Sequence, residues 1–295
     1  MIAINRRHML RCTRQLLLAL AMLSIPALAF ADTVVSVAIA PPLLPVYAQP
    51  IVPGPGYIWT PGYWAYGSLG YYWVPGTWVV APFPGALWTP GFWGWNNGYY
   101  AWRAGYWGPR VGFYGGVNYG FGYGGFGYQG GYWNNGAFYY NRAVNNVNVT
   151  NIQNTYNTAV VNNAASRRVS YNGGTGGTAA QPTPTDRADM EALHTPATAT
   201  QLQHEQAAAT NRAHLASVNH GRPSIAATPE PGAFNHSDVV AAEAAGRNAP
   251  PNSSMNSQNF AHAHAHANIG AEHAPVKRHP AGEPPHPQSH PEARQ

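Results

Sequence analysis

Four near-copies of one hexapeptide hold eight of the ten tryptophans of this 295-residue chain: WTPGYW (59–64), WVPGTW (73–78), WTPGFW (88–93) and WRAGYW (102–107). Their first tryptophans are separated by 14, 15 and 14 residues. A fixed period outranks other local signals, and fourteen residues suits two short strands with two turns better than a helical repeat. The turns set a register. Asn97-Gly98 is a strong hairpin signal, because both central residues of a type I′ turn need positive φ. Folding about it opposes Trp93 with Trp102 and Trp95 with Tyr100. Ser68-Leu69, set between Gly67 and Gly70, opposes Trp64 with Trp73 and Tyr66 with Tyr71. Asn135-Gly136 likewise opposes Trp133 with Phe138 and Tyr132 with Tyr139.

The Pro-Gly pairs inside the hexapeptides admit two readings. As turns, with Pro presetting φ and Gly62, Gly76, Gly91 and Gly105 accepting positive φ beside Gly98 of the Asn-Gly turn, they fold each hexapeptide on itself. The loop APFPG (81–85) then pairs Trp78 with Trp88. Trp59, Trp64, Trp73, Trp78, Trp88, Trp93, Trp102 and Trp107 form one row across eight short antiparallel strands. As kinks in continuing strands, they place tryptophans five apart on opposite faces, and the row splits. An L-Pro-Gly turn is usually type II, whose twist suits a tight hairpin poorly, and this favours the kink. The agreement of every turn favours the row. The expectation taken forward is a mainly β chain: a short-stranded antiparallel β-meander of W-x-P-G-x-W repeats with a largely disordered, partly helical C-terminal region.

Around this block the composition changes. Residues 1–31 read as a secretory signal: Arg6, Arg7, Arg11 and Arg14 precede an apolar stretch (16–30) broken by Pro26, and Ala29-Phe30-Ala31 is a small-x-small cleavage site. The mature chain then starts at Asp32 without the single cysteine, Cys12, which excludes disulfides and thiolate chemistry. It also loses four of the sixteen basic residues, leaving 12 against 11 acidic ones. That balance, with one lysine (Lys277), gives no phosphate-binding cluster, so nucleic acid is not the expected partner. Residues 32–56 are a Pro-rich extended lead-in. The repeat β region is 57–163, in which NYGFGYGGFGYQGG (118–131) is too glycine-dense for an ordinary strand. Residues 144–163 alternate β-branched residues with asparagines, as a strand or edge does, and suit side-chain ladders between chains.

Residues 164–247 are a low-complexity region with marginal helices. Thr185 is positioned to cap 186–194, a second run extends from Pro196 to Ala216, and Ser237 is positioned to cap DVVAAEAA. The 248–295 tail is Pro/His-rich and too poor in apolar residues to build a core.

The W-x-x-G-x-W copies in a Tyr/Trp/Gly-rich chain with an export signal resemble the bacterial YXWGXW-repeat family. Residues 138–163 and RVSYNGG (168–174) are similar to its longer members. The resemblance covers about 57–175. It implies bacterial export, β-rich repeats and envelope association, and carries no functional residues with it.

Between residues 57 and 163 there is no Asp, Glu, His, Cys or Lys, only Arg103, Arg110 and Arg142. A general acid, base or activated nucleophile is therefore missing where a fixed fold is expected, which argues against an enzyme; no cofactor is implied. The eight-tryptophan row has two uses. It could stack on sugars or cations as a platform, or serve as the core of a small sheet that lacks disulfides, and packing is the heavier demand. His262, His264 and His266 alternate along HAHAHA but lack the second-shell partners of a metal site. His194, His204 and His214, ten apart, drift around a helix axis and make no site on it. Transmembrane β-strands need about 9–11 residues, longer than these. The function expected is a non-catalytic structural or interaction role in the periplasm, at the outer membrane or outside the cell, through self-association or as an envelope or matrix component. The mature chain shows no transmembrane segment. A carbohydrate- or peptidoglycan-binding module is the alternative, and metal binding by the histidine tail a weaker one.

Overall fold

In the computed structural model, which describes residues 35–160 and 168–243, the Pro-Gly dipeptides bend strands without reversing them. The first two hexapeptides lie on the arms of one long hairpin. Strands Tyr57–Thr60 and Tyr63–Gly67 run up, and Gly70–Val74 and Gly76–Val80 run down. One antiparallel register holds on both sides of the bend: Trp59↔Trp78 and Thr60↔Thr77 below it, Tyr63↔Val74, Trp64↔Trp73 and Tyr66↔Tyr71 above it. The other two hexapeptides repeat this in Leu87–Thr89, Phe92–Asn96, Tyr99–Arg103 and Tyr106–Gly108, with Trp88↔Trp107, Thr89↔Tyr106, Trp93↔Trp102 and Trp95↔Tyr100.

The β class and the hairpins at Ser68-Leu69, Asn97-Gly98 and Asn135-Gly136 agree with the sequence. At the two Asn-Gly turns both residues have positive φ, as type I′ requires: 46° and 97° at 97–98, 48° and 75° at 135–136. The eight-strand row does not form. Trp59 does not pair with Trp64, nor Trp78 with Trp88, because Gly62, Gly76, Gly91 and Gly105 keep out of the left-handed region that a Pro-Gly turn needs. Five residues apart on a continuing strand, the tryptophans of one hexapeptide fall on opposite faces of the ladder.

Other segments fill in around the two hairpins. The lead-in is irregular apart from Ser36–Val37, which pairs with Tyr100 and Ala101, and it buries Leu44, Val46, Tyr47 and Val52. The glycine-rich stretch forms a short turn-back, Asn118–Gly120 with Tyr123–Gly124, and drives Tyr119, Phe121 and Tyr123 between the hairpins. The third hairpin, Gly131–Asn134 with Ala137–Asn141, gains Thr155–Tyr156 as a parallel third strand. The rest of 144–160 is irregular. Buried Asn145 donates to the Gly130 and Asn141 carbonyls, and Asn146 donates twice to Gln49, from its backbone N–H to the side-chain oxygen and from its side chain to the carbonyl, so these asparagine side chains satisfy backbone within the chain.

Residues 168–243 were expected to be loose, and instead they dock. Tyr171–Asn172, Thr195–Pro196 and Ala227–Thr228 each add a short strand to a hairpin edge. Pairing covers edges that would otherwise recruit other chains. Helix α1 (Pro184–Glu191) is capped by Thr183, two residues before the expected cap, with Asp186 completing a capping box. Helix α2 (Ala199–Thr210) is capped by Thr198 with Gln201 and is shorter than the expected run. No helix follows Ser237 among the described residues. Val240 bridges to Ala227 instead, so tertiary pairing overrides a weak helical preference. Residues 1–31, expected as a secretory signal, with Cys12, and the 248–295 tail with His262, His264 and His266 lie outside the described residues.

If the bend needs glycine but not proline, Pro90→Ala should change unfolding free energy by less than about 1 kcal/mol, since Ala104 already occupies that place in the fourth copy. Gly91→Ala should cost about 1–3 kcal/mol or more, because its Cβ would lie 2.5 Å from the Trp102 ring and 2.8 Å from the Gly105 nitrogen. Urea unfolding of the full chain measures both.

Candidate functional site

Within each hairpin the hexapeptides are self-complementary. Antiparallel pairing sets the first tryptophan of one opposite the last of the other. The ring pairs are alike: 5.1 Å at 66° for Trp59–Trp78, 5.2 Å at 66° for Trp64–Trp73, 5.2 Å at 57° for Trp88–Trp107 and 5.4 Å at 54° for Trp93–Trp102. Such edge-to-face packing suits the ring quadrupoles. The glycine explains the rest of the spacing. Two residues before the last tryptophan, it shares that residue's face and lies diagonal to the partner's first tryptophan. A Cβ at Gly62 would sit 2.3 Å from Trp73, at Gly76 2.5 Å from Trp59, and at Gly105 2.4 Å from Trp88. Each first tryptophan therefore lies on the glycine of its partner, and only glycine leaves that space.

Of the two uses open to the repeat tryptophans, core and ligand platform, the core, which was the heavier demand, is the one the structure shows. Trp59, Trp64, Trp73, Trp78, Trp93 and Trp107 are fully buried, Trp88 nearly so, and Trp102 alone remains partly exposed. Burying each stabilises by about 1.5–3 kcal/mol, and a buried ring offers no face to a sugar. Five of the eight indole N–H groups are directed to this chain: Trp64 donates to the Leu43 carbonyl (3.0 Å), Trp73 to Ala226 (3.0 Å), Trp78 to Pro50 (2.9 Å), Trp93 to Trp64 (2.7 Å) and Trp107 to the Gln201 side chain (2.8 Å). Tyr123 donates to both Trp59 and Trp88 carbonyls and Tyr119 to that of Gly91, which ties the two hairpins together. Burial pushes the phenols of Tyr119 and Tyr123 far above their ordinary pKa, so they stay donors. Of the expected turn glycines, Gly98 is one (φ 97°), while Gly62, Gly76, Gly91 and Gly105 are close-approach positions.

Where the bends of the two hairpins meet, a cavity of about 110 Å³ opens beside Pro61, Pro75, Pro90 and Gly105, closed over by Gln201 and Glu205 of α2. The C-terminal arm brings titratable groups to a repeat block that has no acid or histidine of its own. Sequence reasoning missed this because α1 ends at Glu191, before His194, and α2 ends at Thr210, before His214, which takes the three histidines off one axis. His194 stacks on Tyr106 (3.7 Å, 22°). His204 Nε2 donates to the Pro75 carbonyl (3.0 Å), while its Nδ1 accepts from the Gly232 N–H (2.9 Å). His214 Nδ1 donates to the Trp73 carbonyl (2.9 Å). With both ring nitrogens engaged, His204 is a clamp rather than a base for the cavity. Among the described residues no three His, Cys, Asp or Glu side chains are grouped to hold a metal.

Residues 54–79 and 85–107 match the family model described as the WXXGXW repeat, as two copies. The chain carries WXXGXW repeats. Each matched copy coincides with one bent hairpin, so the family's unit holds two hexapeptides. Comparison with curated proteins and with solved structures gives no match.

Burial, opposed in part by the Pro75 carbonyl, lowers the His204 pKa from its ordinary value to about 4. The unfolded chain thus binds a proton between pH 6.5 and 4 that the folded WXXGXW protein does not. Stability should be full above pH 6.5, fall as pH drops toward 4, and level off below, with His214, also lowered by burial, adding in the same direction. Denaturant midpoints across that range measure it, and His204→Gln should flatten the slope. In acrylamide titrations most tryptophan emission should be protected, and Trp95→Phe, at the most exposed indole (41%), should remove the larger part of the quenchable fraction.

Proposed function

We propose that this chain is a non-catalytic, exported structural or interaction protein of the bacterial cell envelope or surface, in which the WXXGXW hairpins are a rigid scaffold and their tips make contacts. One observation carries this: each of the three hairpins displays at least one large side chain, left out of the core, near its turn. Leu69 lies at the first tip (69% exposed), Trp95 and Tyr99 flank the second turn, and Tyr132 flanks the third. Held on fixed strands, apolar groups at tips bury area against a partner with little further ordering. Docked segments cover edges of the two WXXGXW hairpins, which moves the expected contacts from strand edges to these tips. Among the described residues no helix is long and apolar enough to cross a membrane. Export rests on the 1–31 segment.

A second reading, stacking on carbohydrate, is favoured by the third hairpin. Tyr132 and Tyr139 are stacked with nearly parallel planes (6°, 5.4 Å between centroids), and the Tyr156 ring is 5.3 Å from that of Tyr132. An exposed Tyr132 ring held against a second ring suits the CH face of a sugar.

Sedimentation velocity over a concentration series distinguishes the two. Contact through the tips predicts association that grows with concentration in the wild type and is weakened in Trp95→Ser/Tyr99→Ser. A wild type that stays monomeric throughout removes the self-association form of the proposal. Terminal sequencing of the protein from cells should place the mature start at Asp32.

A further inference from the structure

The fourth hexapeptide departs from the other three, and the fold opens there. Copies one to three read W-[TV]-P-G, and Pro61, Pro75 and Pro90 are buried. The fourth reads Trp102-Arg103-Ala104-Gly105; Ala104 is exposed, and Trp102 is the one repeat tryptophan left partly exposed. Beside them lies a cleft of about 370 Å³, within the range of roughly 300–1,000 Å³ for small-molecule sites. Its walls are aromatic and preset. Trp102 is held by Tyr63 stacked on it (5.0 Å, 17°), and Tyr106 is backed by His194. Phe92 and Thr89 also line it, and Arg103 stands beside them, exposed.

The charge at this cleft has one sign. No Asp or Glu is among its lining residues. The nearby Asp189 is engaged by Arg110, whereas among the described residues no carboxylate pairs with Arg103. A guanidinium exposed beside aromatic walls favours a ligand with both an apolar ring face and a carboxylate, which it can grip with two parallel hydrogen bonds. A lone cation is too little for a polyphosphate chain. We infer that the Trp102–Arg103 cleft binds an acidic sugar, a pyranose carrying a carboxylate. Such groups come from polyuronates or from the lactyl-bearing sugar of the bacterial wall. The site is distinct from the tyrosine face of the third hairpin and does not depend on it.

Isothermal titration calorimetry of the full chain with trigalacturonate, N-acetylmuramic acid and neutral maltotriose tests this. Saturable binding of at least one acidic sugar is expected, about tenfold or more tighter than the neutral one and weakened by salt. Arg103→Met, at an exposed position, should keep the circular dichroism spectrum and reduce acidic-sugar affinity to the neutral level. Tyr132→Ala should leave binding unchanged. Binding of trigalacturonate alone identifies polyuronate as the source, and of N-acetylmuramic acid alone the wall. Equal affinity for acidic and neutral sugars, binding unaffected by Arg103→Met, binding lost in Tyr132→Ala, or no saturation by about 10 mM would each overturn the assignment.

Discussion

An indole lying on a facing glycine is the contact on which the other layers of this fold rest. In an ordinary antiparallel pair, diagonal side chains keep the ring of a tryptophan away from the opposing backbone. Here the missing Cβ lets the ring close that distance, and the two glycines of a hairpin come so near that a Cβ on Gly62 would meet the Gly76 nitrogen at 2.8 Å. The bend in each arm marks this approach. Proline suits it through its fixed φ but is dispensable, as Ala104 demonstrates. Without the glycine the two ring pairs of a hairpin could not both stay edge to face, and the surface that receives Tyr119, Phe121 and Tyr123 would be lost.

A core of tryptophan and tyrosine brings polar atoms inside with the rings, and most of them find a partner, Trp59 Nε1 and the Tyr128 hydroxyl being exceptions. Some acceptors are carbonyls of the ladders themselves: Trp64 accepts from Trp93, and Trp59 and Trp88 from Tyr123. Irregular chain supplies the rest: Leu43 and Pro50 of the lead-in, Ala226 of the arm, and Ala86 of the loop between hairpins accept indole N–H groups, and the Gly54 carbonyl accepts from Tyr140. The low regularity of residues 35–56 and 220–243 thus has a structural use. Chain free of ladder bonds is what an aromatic core of this kind requires around it.

How much of this could be read in the sequence depended on the range of the interaction that decides it. Asn97-Gly98 and Asn135-Gly136 carry their turn in two residues, and the pairs they imply were recovered with correct register. Pro61-Gly62 and its equivalents are ambiguous locally, since the same dipeptide serves a turn or a bend. What decides between them is an indole eleven or seventeen residues away. The docking of the arm was not legible at all. His204 meets Pro75 across 129 residues and His214 meets Trp73 across 141, and nothing in the composition of 168–243 announces a surface shaped to receive it. The partly exposed Trp102 left a trace in the sequence, the one copy without proline.

The reciprocal fit of two hexapeptides also restricts how such chains can lengthen. A single added copy would bring a tryptophan with no glycine to lie on and a glycine with no ring to cover it, a half-lock with both halves exposed. Growth by twos avoids this, because each new pair closes on itself and presents its flanks for the next. The heritable unit is therefore the hairpin, with the hexapeptide only half of it. A gene drifting to an odd number would be expected to shed the orphan copy or let it decay until it no longer scans as a repeat.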